Sequence, residues 1–383
     1  MLSQQYVCLT STDSYVEPLL MRVLETDVLG VHCGKIEVDS ISSSCGKQKG
    51  DRFKLSMPYA GQNLTWDVLF DSQSPELGPD FIFNDDTFLA DTDVDVLSQK
   101  LPSLAKWNPN DKEALLNVLM ELLSCYKQHQ IQLLQRHTRL ILEYNMITKC
   151  EEVELENIEM ILSPCGPKPT EAKFVIMFQI DVSQLQNIIY DSESNIAMLH
   201  VTFCGTDWNR IIPKLILSKI LEEALGETVD IQLPHFPPDN CLIDYFQEVK
   251  KCISGRINLL VQSMENKREF VLNVLASQYS RIVEFDSIQY SYVSFLQDDE
   301  KFIFLVYIRL PPHFPREQPT IMLKSMYHMT APNTPYEERI NFQCKVQWDV
   351  QPMVQKLLAY IRTCAKKFYF NSIAISSKNP FSN

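Results

Sequence analysis

The chain has 383 residues, of which 45% are apolar and 10% aromatic, so it can build about two or three domains with hydrophobic cores. Its formal net charge of −13 argues against nucleic-acid binding, which depends on contacts between Lys or Arg and phosphates. An acidic chain instead favours a basic protein partner, or is simply soluble.

The 11 cysteines form no disulfide or zinc pattern. No Cys-x-x-Cys occurs, and reduced thiols in the cytosol or nucleus are expected. No signal peptide is predicted, because Arg22 interrupts the early apolar stretch. The longest apolar runs, such as 302–308, are too short to cross a bilayer. We therefore expect a cytoplasmic and nuclear protein that does not associate with a membrane.

A first domain is predicted over residues 1–149, with its core over about 30–148. A short helix is predicted at 14–27. From Val31 to Phe83, short apolar runs separated by turn residues predict a meander of strands.

A long helix is predicted after this meander. Asn110 and Asp111 are expected to cap it, because their side chains can accept orphan backbone N–H groups. Its apolar stripe consists of Leu115, Leu116, Leu119, Leu122, Leu123 and Tyr126. No Gly or Pro follows before Pro164, so the helix is expected to run on, with a bend, through Tyr144.

Residues 150–262 are predicted to begin with a linker over about 150–170, where five Glu residues precede the sequence SPCGPKPT. The predicted strands that follow are 173–180, 196–203 and 213–217, and the predicted helices are 220–225 and 242–264. The segment is interpreted either as a third, degenerate unit built on the same meander-and-helix plan or as a linker subdomain with its own small sheet.

A second copy of the meander-and-helix arrangement is predicted over residues 263–383, with its core over about 265–370. The predicted elements are an opening helix at 265–279, strands near 281–285, 287–296 and 301–310, a further strand after a proline loop, and a last helix over 350–370. The apolar stripe of the last helix includes Leu357 and Phe368, and it should cover one face of the sheet.

Residues 64–83 and 302–323 resemble each other. In each, an apolar strand enters a loop bracketed by prolines, and a second apolar strand follows. The prolines are Pro75 and Pro79 in the first loop, and Pro315 and Pro319 in the second. Proline lacks an N–H donor, so it can end a strand without leaving that donor unpaired. Trp107 or Trp348 and a long helix come next.

This order of strand, proline loop, strand, Trp and helix resembles the ubiquitin-conjugating (E2) fold. The resemblance implies an α+β protein with tandem ubiquitin-conjugating-enzyme-like (UEV/RWD-type) domains, in which antiparallel meander sheets are packed by helices.

The catalytic residues of an E2 are not recognisable. An E2 needs a cysteine thiolate that takes ubiquitin as a thioester, and a His-Pro-Asn segment whose Asn steadies the oxyanion. Neither occurs between Phe83 and Trp107. In the second copy, Cys344 lies only four residues before Trp348, half the family spacing, and is interpreted as an ordinary thiol, with a nucleophile as the alternative. His328, in a worn Tyr-His-Pro-Asn, is expected to make a structural hydrogen bond.

Other chemistries lack their motifs, so we expect no enzyme activity, metal or cofactor. There is no His-x-His pair for a JAMM protease, no P-loop and no nucleophile elbow. A calcium loop starting at Asp91 would have Val96 and Pro102 where Gly and Glu are needed. Two acidic clusters are interpreted as solvated loops. They are Asp80, Asp85, Asp86, Asp91, Asp93 and Asp95, and Glu151, Glu152, Glu154, Glu156 and Glu159.

Between about residues 50 and 365 the chain resembles the BRE (brain and reproductive organ-expressed protein) family, at the level of a distant homologue. The matching stretches are Asp51-Arg52-Phe53-Lys54-Leu55, Pro58-Tyr59-Ala60-Gly61, Pro79-Asp80-Phe81-Ile82-Phe83, Cys241-Leu242-Ile243-Asp244-Tyr245, Lys267-Arg268-Glu269 and Phe314-Pro315-Arg316.

This resemblance implies a non-catalytic scaffold of the BRISC deubiquitinase, which acts on lysine-63-linked ubiquitin chains, and in vertebrates of the related BRCA-associated assembly. The implied partners are a JAMM-type protease subunit, an Abraxas-type scaffold and a von Willebrand A-like MERIT adaptor. Two alternatives stay open: a partner that supports an active E2 in chain assembly, and a ubiquitin-binding receptor.

Candidate partner-binding residues lie in or beside the proline loops and on the last helix. They are Pro75, Pro79, Phe81, Phe314, Pro315, Pro319, Leu357 and Phe368. Whether either domain binds ubiquitin is left open.

Overall fold

The computed structural model describes residues 11–26, 34–44, 49–90, 92–164, 168–185, 195–225, 232–299, 302–330 and 334–376. The chain divides into two compact units. The first unit comprises Met1–Asp181 and Asp191–Cys252, and the second comprises Val182–Tyr190 and Ile253–Asn383. Sheets in both units are antiparallel and accompanied by helices, so the α+β class is confirmed.

The first unit opens with a helix and the predicted meander. Its elements are α1 (Glu17–Leu24), β1 (Glu37–Ser42), β2 (Arg52–Tyr59), β3 (Gln62–Leu69) and β4 (Asp80–Phe83). The four strands pair in chain order. A two-residue turn joins β2 to β3, with φ of +46° at Ala60 and +73° at Gly61. Positive φ at both central positions matches the twist of a hairpin.

Three helices follow the meander directly. They are α2 (Val94–Lys100), α3 (Pro102–Ala105) and α4 (Ala114–Leu134). The sequence analysis missed α2 and α3, although Asp93 caps α2 by accepting a hydrogen bond from the backbone N–H of Asp95. The predicted stripe of α4 packs on the sheet, where the rings of Tyr126 and Trp66 lie 6.3 Å apart.

The predicted cap and length of α4 were wrong. Asp111 accepts a bond from the N–H of Glu113, so this side chain shapes the turn before the helix. A second helix, α5 (Thr138–Ile147), begins after a break. At the break, His137 has an extended backbone and its ring packs 5.2 Å from that of Trp208. This long-range contact leaves no mark in the local sequence.

A second four-stranded meander follows in the same unit, in the order β5-β6-β7-β8. Its elements are β5 (Ile158–Ser163), β6 (Glu171–Gln179), β7 (Ile196–Cys204), β8 (Arg210–Leu217) and α6 (Lys219–Leu225). Strand β5 lies inside the segment 150–170 that was predicted to be a linker, so that prediction was wrong there. The alternation that marks a half-exposed strand is absent there, because five of its six residues are buried.

The hairpin of the first sheet packs on the second sheet. The backbone N–H of Ala60 donates to the carboxylate of Glu159 at 2.7 Å, and the Tyr59 hydroxyl donates to the carbonyl of Met160 at 3.3 Å. A Cβ on Gly61 would stand 2.8 Å from the His200 ring, so only glycine fits this approach. Residues 150–164 therefore contribute to the core of the first unit.

Helix α7 (Leu242–Ser277) is continuous, although two separate helices were predicted at 242–264 and 265–279. Its start is fixed from a distance, since the backbone N–H of Leu242 donates to the carboxylate of Glu143 at 2.7 Å. A carboxylate is favourable at the positive end of a helix. The helix covers the boundary predicted at 262/263, and the division into 1–149, 150–262 and 263–383 stays a prediction.

The second unit is built on a five-stranded sheet in the order β13-β12-β11-β10-β9. The strands are β9 (Ile282–Phe285), β10 (Tyr292–Asp299), β11 (Phe302–Arg309), β12 (Thr320–Met329) and β13 (Pro335–Ile340). Strand β13 was missed. Strand β10 starts later than predicted, because the Asp286 carboxylate accepts bonds from the backbone of Ile288, Gln289 and Ser291 and holds that stretch as a turn.

The last helix, α8 (Val350–Ser376), covers one face of this sheet. Leu357 is fully buried, and the rings of Phe304 and Phe368 lie 5.5 Å apart in the same core. Within the described residues, no helix is both long and apolar enough to cross a membrane.

The substitution Leu357→Asp should destabilise the second unit by several kcal/mol, because it places an unpaired charge in an apolar core. We expect thermal unfolding to show loss of the second unit while the first remains folded. The matched control is Arg362→Asp, at an exposed position of the same helix. Equal unfolding temperatures for the two variants would contradict the packing described for Leu357.

Candidate functional site

The two proline loops bury most of the residues that were predicted to bind partners. Only Pro75 is exposed, and Phe81 is half-buried. The buried ones are Pro79, Phe314, Pro315, Pro319, Leu357 and Phe368. Phe314, for example, packs against Phe270 of α7 with ring centroids 5.2 Å apart. These six side chains hold the loops and helix in place, and a direct role in binding stays a prediction.

The second proline loop is joined to the segment before Trp348 by one side chain. The Gln318 amide oxygen accepts from the backbone N–H of Cys344 at 2.6 Å, and its amide nitrogen donates to the Cys344 carbonyl at 3.0 Å. Both backbone groups of Cys344 are thus satisfied by a single amide. We call this pair of bonds the Gln318 clamp.

Burial determines the chemistry of the Cys344 thiol. Cys344 is 4% exposed, and burial raises the pKa of its thiol to about 11. Thioester formation needs an accessible thiolate, which is favoured by nearby positive charge and hindered by burial. Cys344 offers neither access nor ionisation, which supports its interpretation as an ordinary thiol.

A second clamp joins the same loop to α7. The Ser263 hydroxyl is buried and lies 2.6 Å from the carbonyl oxygen of Pro312 and 3.0 Å from that of Phe314. Helix α7, the proline loop and the segment after Cys344 are therefore tied together by two side chains. Between them lies a concave surface that encloses a volume of about 530 Å³.

We call this concave surface the cleft. The residues that line it include Arg256, Leu259, His313, Arg316, Val346 and Trp348. Apolar concave surfaces with a few placed polar groups are the usual form of a ligand site. The sequence patterns singled out Arg316 and Trp348 but not Arg256, Leu259, His313 or Val346. Leu259 and Val346 lie far apart in the chain, so no local pattern connects them.

His328 takes the structural role predicted for it. Its Nδ1 atom lies 2.8 Å from the Ser372 hydroxyl, and its ring stacks on that of Phe302 at 5.8 Å. The bond joins β12 to the end of α8.

The first unit holds a smaller pocket of about 310 Å³ after β4, lined in part by Thr87, Cys125 and His129. Burial raises the pKa of the Cys125 thiol, so this cysteine does not supply a ready thiolate either. Across the described ranges, no group of three or more His, Cys, Asp or Glu side chains is arranged to hold a metal ion.

Asp85 contradicts the interpretation of the acidic clusters as solvated loops. Its carboxylate accepts bonds from the backbone and hydroxyl of Thr87 at 3.0 and 2.7 Å, and His129 Nε2 lies 3.6 Å away. Burial alone would raise the pKa of Asp85, but the bonds with His129 and Thr87 outweigh it and lower the pKa to about 2. Gln130 donates to the same carboxylate and accepts from the Leu162 N–H of β5.

Glu159 is the buried member of the other acidic cluster, and it receives the Ala60 N–H described above. Each cluster thus contains one buried carboxylate with a long-range partner among acidic neighbours. Composition cannot separate these two residues from their neighbours, because their partners Gln130 and Ala60 lie 45 and 99 residues away.

Geometry thus defines a class: an α+β protein of two units, built from antiparallel meanders with helices, that carries a preformed cleft beside a buried thiol. A family model described as "Brain and reproductive organ-expressed protein (BRE)" matches residues 10–329. The chain belongs to the BRE family.

Two curated relatives extend this match. Proteins named "BRISC and BRCA1-A complex member 2" are 30% identical in Danio rerio, over 94% of this chain and 95% of the relative, and 27% identical in Branchiostoma floridae, over 94% and 96%. The resemblance to the BRE family drawn from the sequence is confirmed.

Alkylation mapped by mass spectrometry should show that Cys344 reacts more slowly with iodoacetamide at pH 8 than Cys252, which is half-buried. A pKa of about 11 leaves roughly one thiol in a thousand ionised at that pH. Gln318→Ala should speed the reaction of Cys344, because it opens the clamp, while Glu317→Ala at the next position should not. Fast labelling in the unaltered chain would contradict the burial of Cys344.

Asp85→Asn should lower the free energy of unfolding by about 2 kcal/mol near pH 7, because it removes a charged hydrogen-bond acceptor. The folded-state pKa of Asp85 lies below its ordinary value of 3.8, so its stabilisation is present above that pH and is lost as the pH falls towards 2.

Urea unfolding from pH 7 down to pH 3 checks this, and the gap between the two chains should narrow at low pH. Asp86→Asn, at an exposed position of the same cluster, is the control and should leave stability unchanged. A gap that does not depend on pH would contradict the role of the Asp85 carboxylate.

Proposed function

We propose that this chain is a non-catalytic scaffold subunit of a BRISC-like deubiquitinase complex that acts on lysine-63-linked ubiquitin chains. The names of the two relatives support membership of such a complex. In this role the chain bridges an arm made of a JAMM-type protease and an Abraxas-type scaffold to a MERIT-type adaptor, in the cytoplasm and the nucleus.

The proposal includes the identity of the two copies as E2-variant domains. Each has a strand, a proline loop, a second strand, a Trp and a long helix in that order, from β3 to α4 and from β11 to α8. The meander order of both sheets supports this assignment.

The observation that carries the proposal is the state of the second copy's cysteine. A thiol near the position of an E2 nucleophile is 4% exposed, has its pKa raised to about 11 and is held by the Gln318 clamp. Val346 and Trp348, which follow Cys344 in the chain, line the cleft. Conjugating chemistry needs the opposite arrangement, an open thiolate next to a free amide donor.

The chain mixed with ubiquitin-activating enzyme, ATP and ubiquitin should form no thioester that a thiol reductant can cleave. A reducible band that disappears in Cys344→Ala would overturn the proposal. An authentic E2, treated in the same way, is the positive control.

Affinity purification of the chain from cells is the second test of the proposal. Copurification of a JAMM-type subunit supports the scaffold role, whereas copurification of an active E2 without it would favour a role in chain assembly. Measurable ubiquitin affinity of the isolated chain would favour a ubiquitin receptor.

A further inference from the structure

The sheet of the second unit has an apolar outer face, on the side away from α8. Residues that pair directly on neighbouring strands share a face of the sheet. Leu296 pairs with Leu305, and Tyr307 pairs with Met322. All four are half-buried and lie outside the core that α8 covers. A sheet face that meets only water usually carries polar side chains, so this face has the composition of a contact surface.

The charged side chains on the strands of this outer face balance one another. Three are acidic and three are basic, namely Glu284, Asp298, Glu337, Arg309, Lys324 and Arg339. Lys324 and Glu337 form an ion pair at 3.0 Å. A balanced face does not select a partner by net charge. Shape and hydrogen bonding must therefore distinguish what binds there.

A comparable outer face, on the sheet of β5 to β8, is covered by a β-hairpin of the first unit. Glu159 accepts the backbone N–H of Ala60 at 2.7 Å. A Cβ on Gly61 would stand 2.8 Å from the His200 ring and 3.8 Å from Val175. Glu159, Val175 and His200 form one row across the sheet, because each pairs with the next. This face thus binds the turn of a hairpin, and a carboxylate on the first strand holds the N–H of that turn.

Glu284 has the same place in the sheet of the second unit. It lies on β9, the first strand of that meander, and its row continues through Ser294 to Tyr307. Glu159 is 2% exposed, whereas Glu284 is exposed. The Glu284 carboxylate accepts no hydrogen bond and forms no ion pair with any described residue. Its charge raises the pKa of Tyr292 on the same face, so it lies beside the apolar surface.

We propose that the outer face of the second unit's sheet binds the turn of a β-hairpin in another protein, with one backbone N–H of that turn donated to Glu284. The turn lies over Tyr307, and the apolar side chains that flank it lie on Leu296 and Leu305. Glycine in a two-residue turn permits a close approach of this kind, as Gly61 does over the other sheet.

The occupant is a different protein because the turn of this chain at Ala60 and Gly61 is already bound within its own unit. The inference rests on the proposed function only in that the chain serves to bind other proteins.

The test uses the full chain with the photoreactive amino acid benzoylphenylalanine in place of Leu305, purified from cells with its bound proteins. Illumination joins position 305 to whatever lies against the face, and mass spectrometry identifies the joined residue. We expect that residue to lie in or beside a two-residue hairpin turn in the structure of another protein. The same photoreactive group in place of Arg362, an exposed residue of α8, should give no such product.

Substitutions of Glu284 test the hydrogen bond in the photoreactive chain. Glu284→Ala should lower the yield of the turn product about fivefold or more, because a charged acceptor is lost. Glu284→Gln keeps an acceptor oxygen and should restore part of the yield. The matched control is Glu269→Ala, at an exposed position of α7 beside Phe270 of the core, and it should leave the yield unchanged.

The proposal would be overturned by no product at position 305, by a product within a helix or with a second copy of this chain, or by an unchanged yield from Glu284→Ala. These outcomes are separate from the proposed function. Copurification of a JAMM-type subunit without a product at position 305 would remove this inference alone. A turn product from a complex that lacks the JAMM-type subunit would instead contradict the proposed function alone.

Discussion

The Gln318 side chain makes two hydrogen bonds to the backbone of Cys344, and most of what distinguishes the second unit depends on them. They hold the segment before Trp348 against the proline loop, which buries the thiol and raises its pKa. Val346 and Trp348, which follow Cys344 in the chain, line the cleft, and Ser263 lines it from α7. A buried thiol and a concave surface therefore lie close together in this part of the fold.

The first unit depends on buried carboxylates in a comparable way. Among its buried carboxylates are those of Asp85, Glu143 and Glu159. Each of these three accepts a hydrogen bond from a backbone N–H group. A buried charge is costly unless it is paired in this way. The Ala60 N–H donates to Glu159, which connects the first sheet to the second, and Gln130 of α4 accepts from the Leu162 N–H of the second sheet. Residues that resemble a linker in composition are therefore part of a shared core.

Local patterns in the sequence predicted the elements whose causes are local. The apolar stripe of α4, both proline loops and the stripe around Leu357 are present as predicted. The meander predicted over 31–83 is present from Glu37 to Phe83, and residues 31–33 lie outside the described residues. The predictions failed where the cause is distant. The break before α5 depends on Trp208, the start of α7 on Glu143, and the burial of β5 on its contacts with α4 and the first hairpin.

The same distinction applies to the site. The spacing between Cys344 and Trp348 was sufficient to question a catalytic role, but nothing in the sequence pairs Gln318 with Cys344 across 26 residues. The cleft also escaped prediction, because its floor combines one exposed leucine of a long helix with a valine of a loop, and each is unremarkable alone.

Hydrogen–deuterium exchange at the Cys344 amide tests the account most directly, because that N–H is the donor in the Gln318 clamp. If the clamp organises the second unit, this amide exchanges as slowly as those in the middle of β11. Exchange at the rate of an open loop would contradict the account, since the thiol would then be accessible and the cleft would lack a fixed wall.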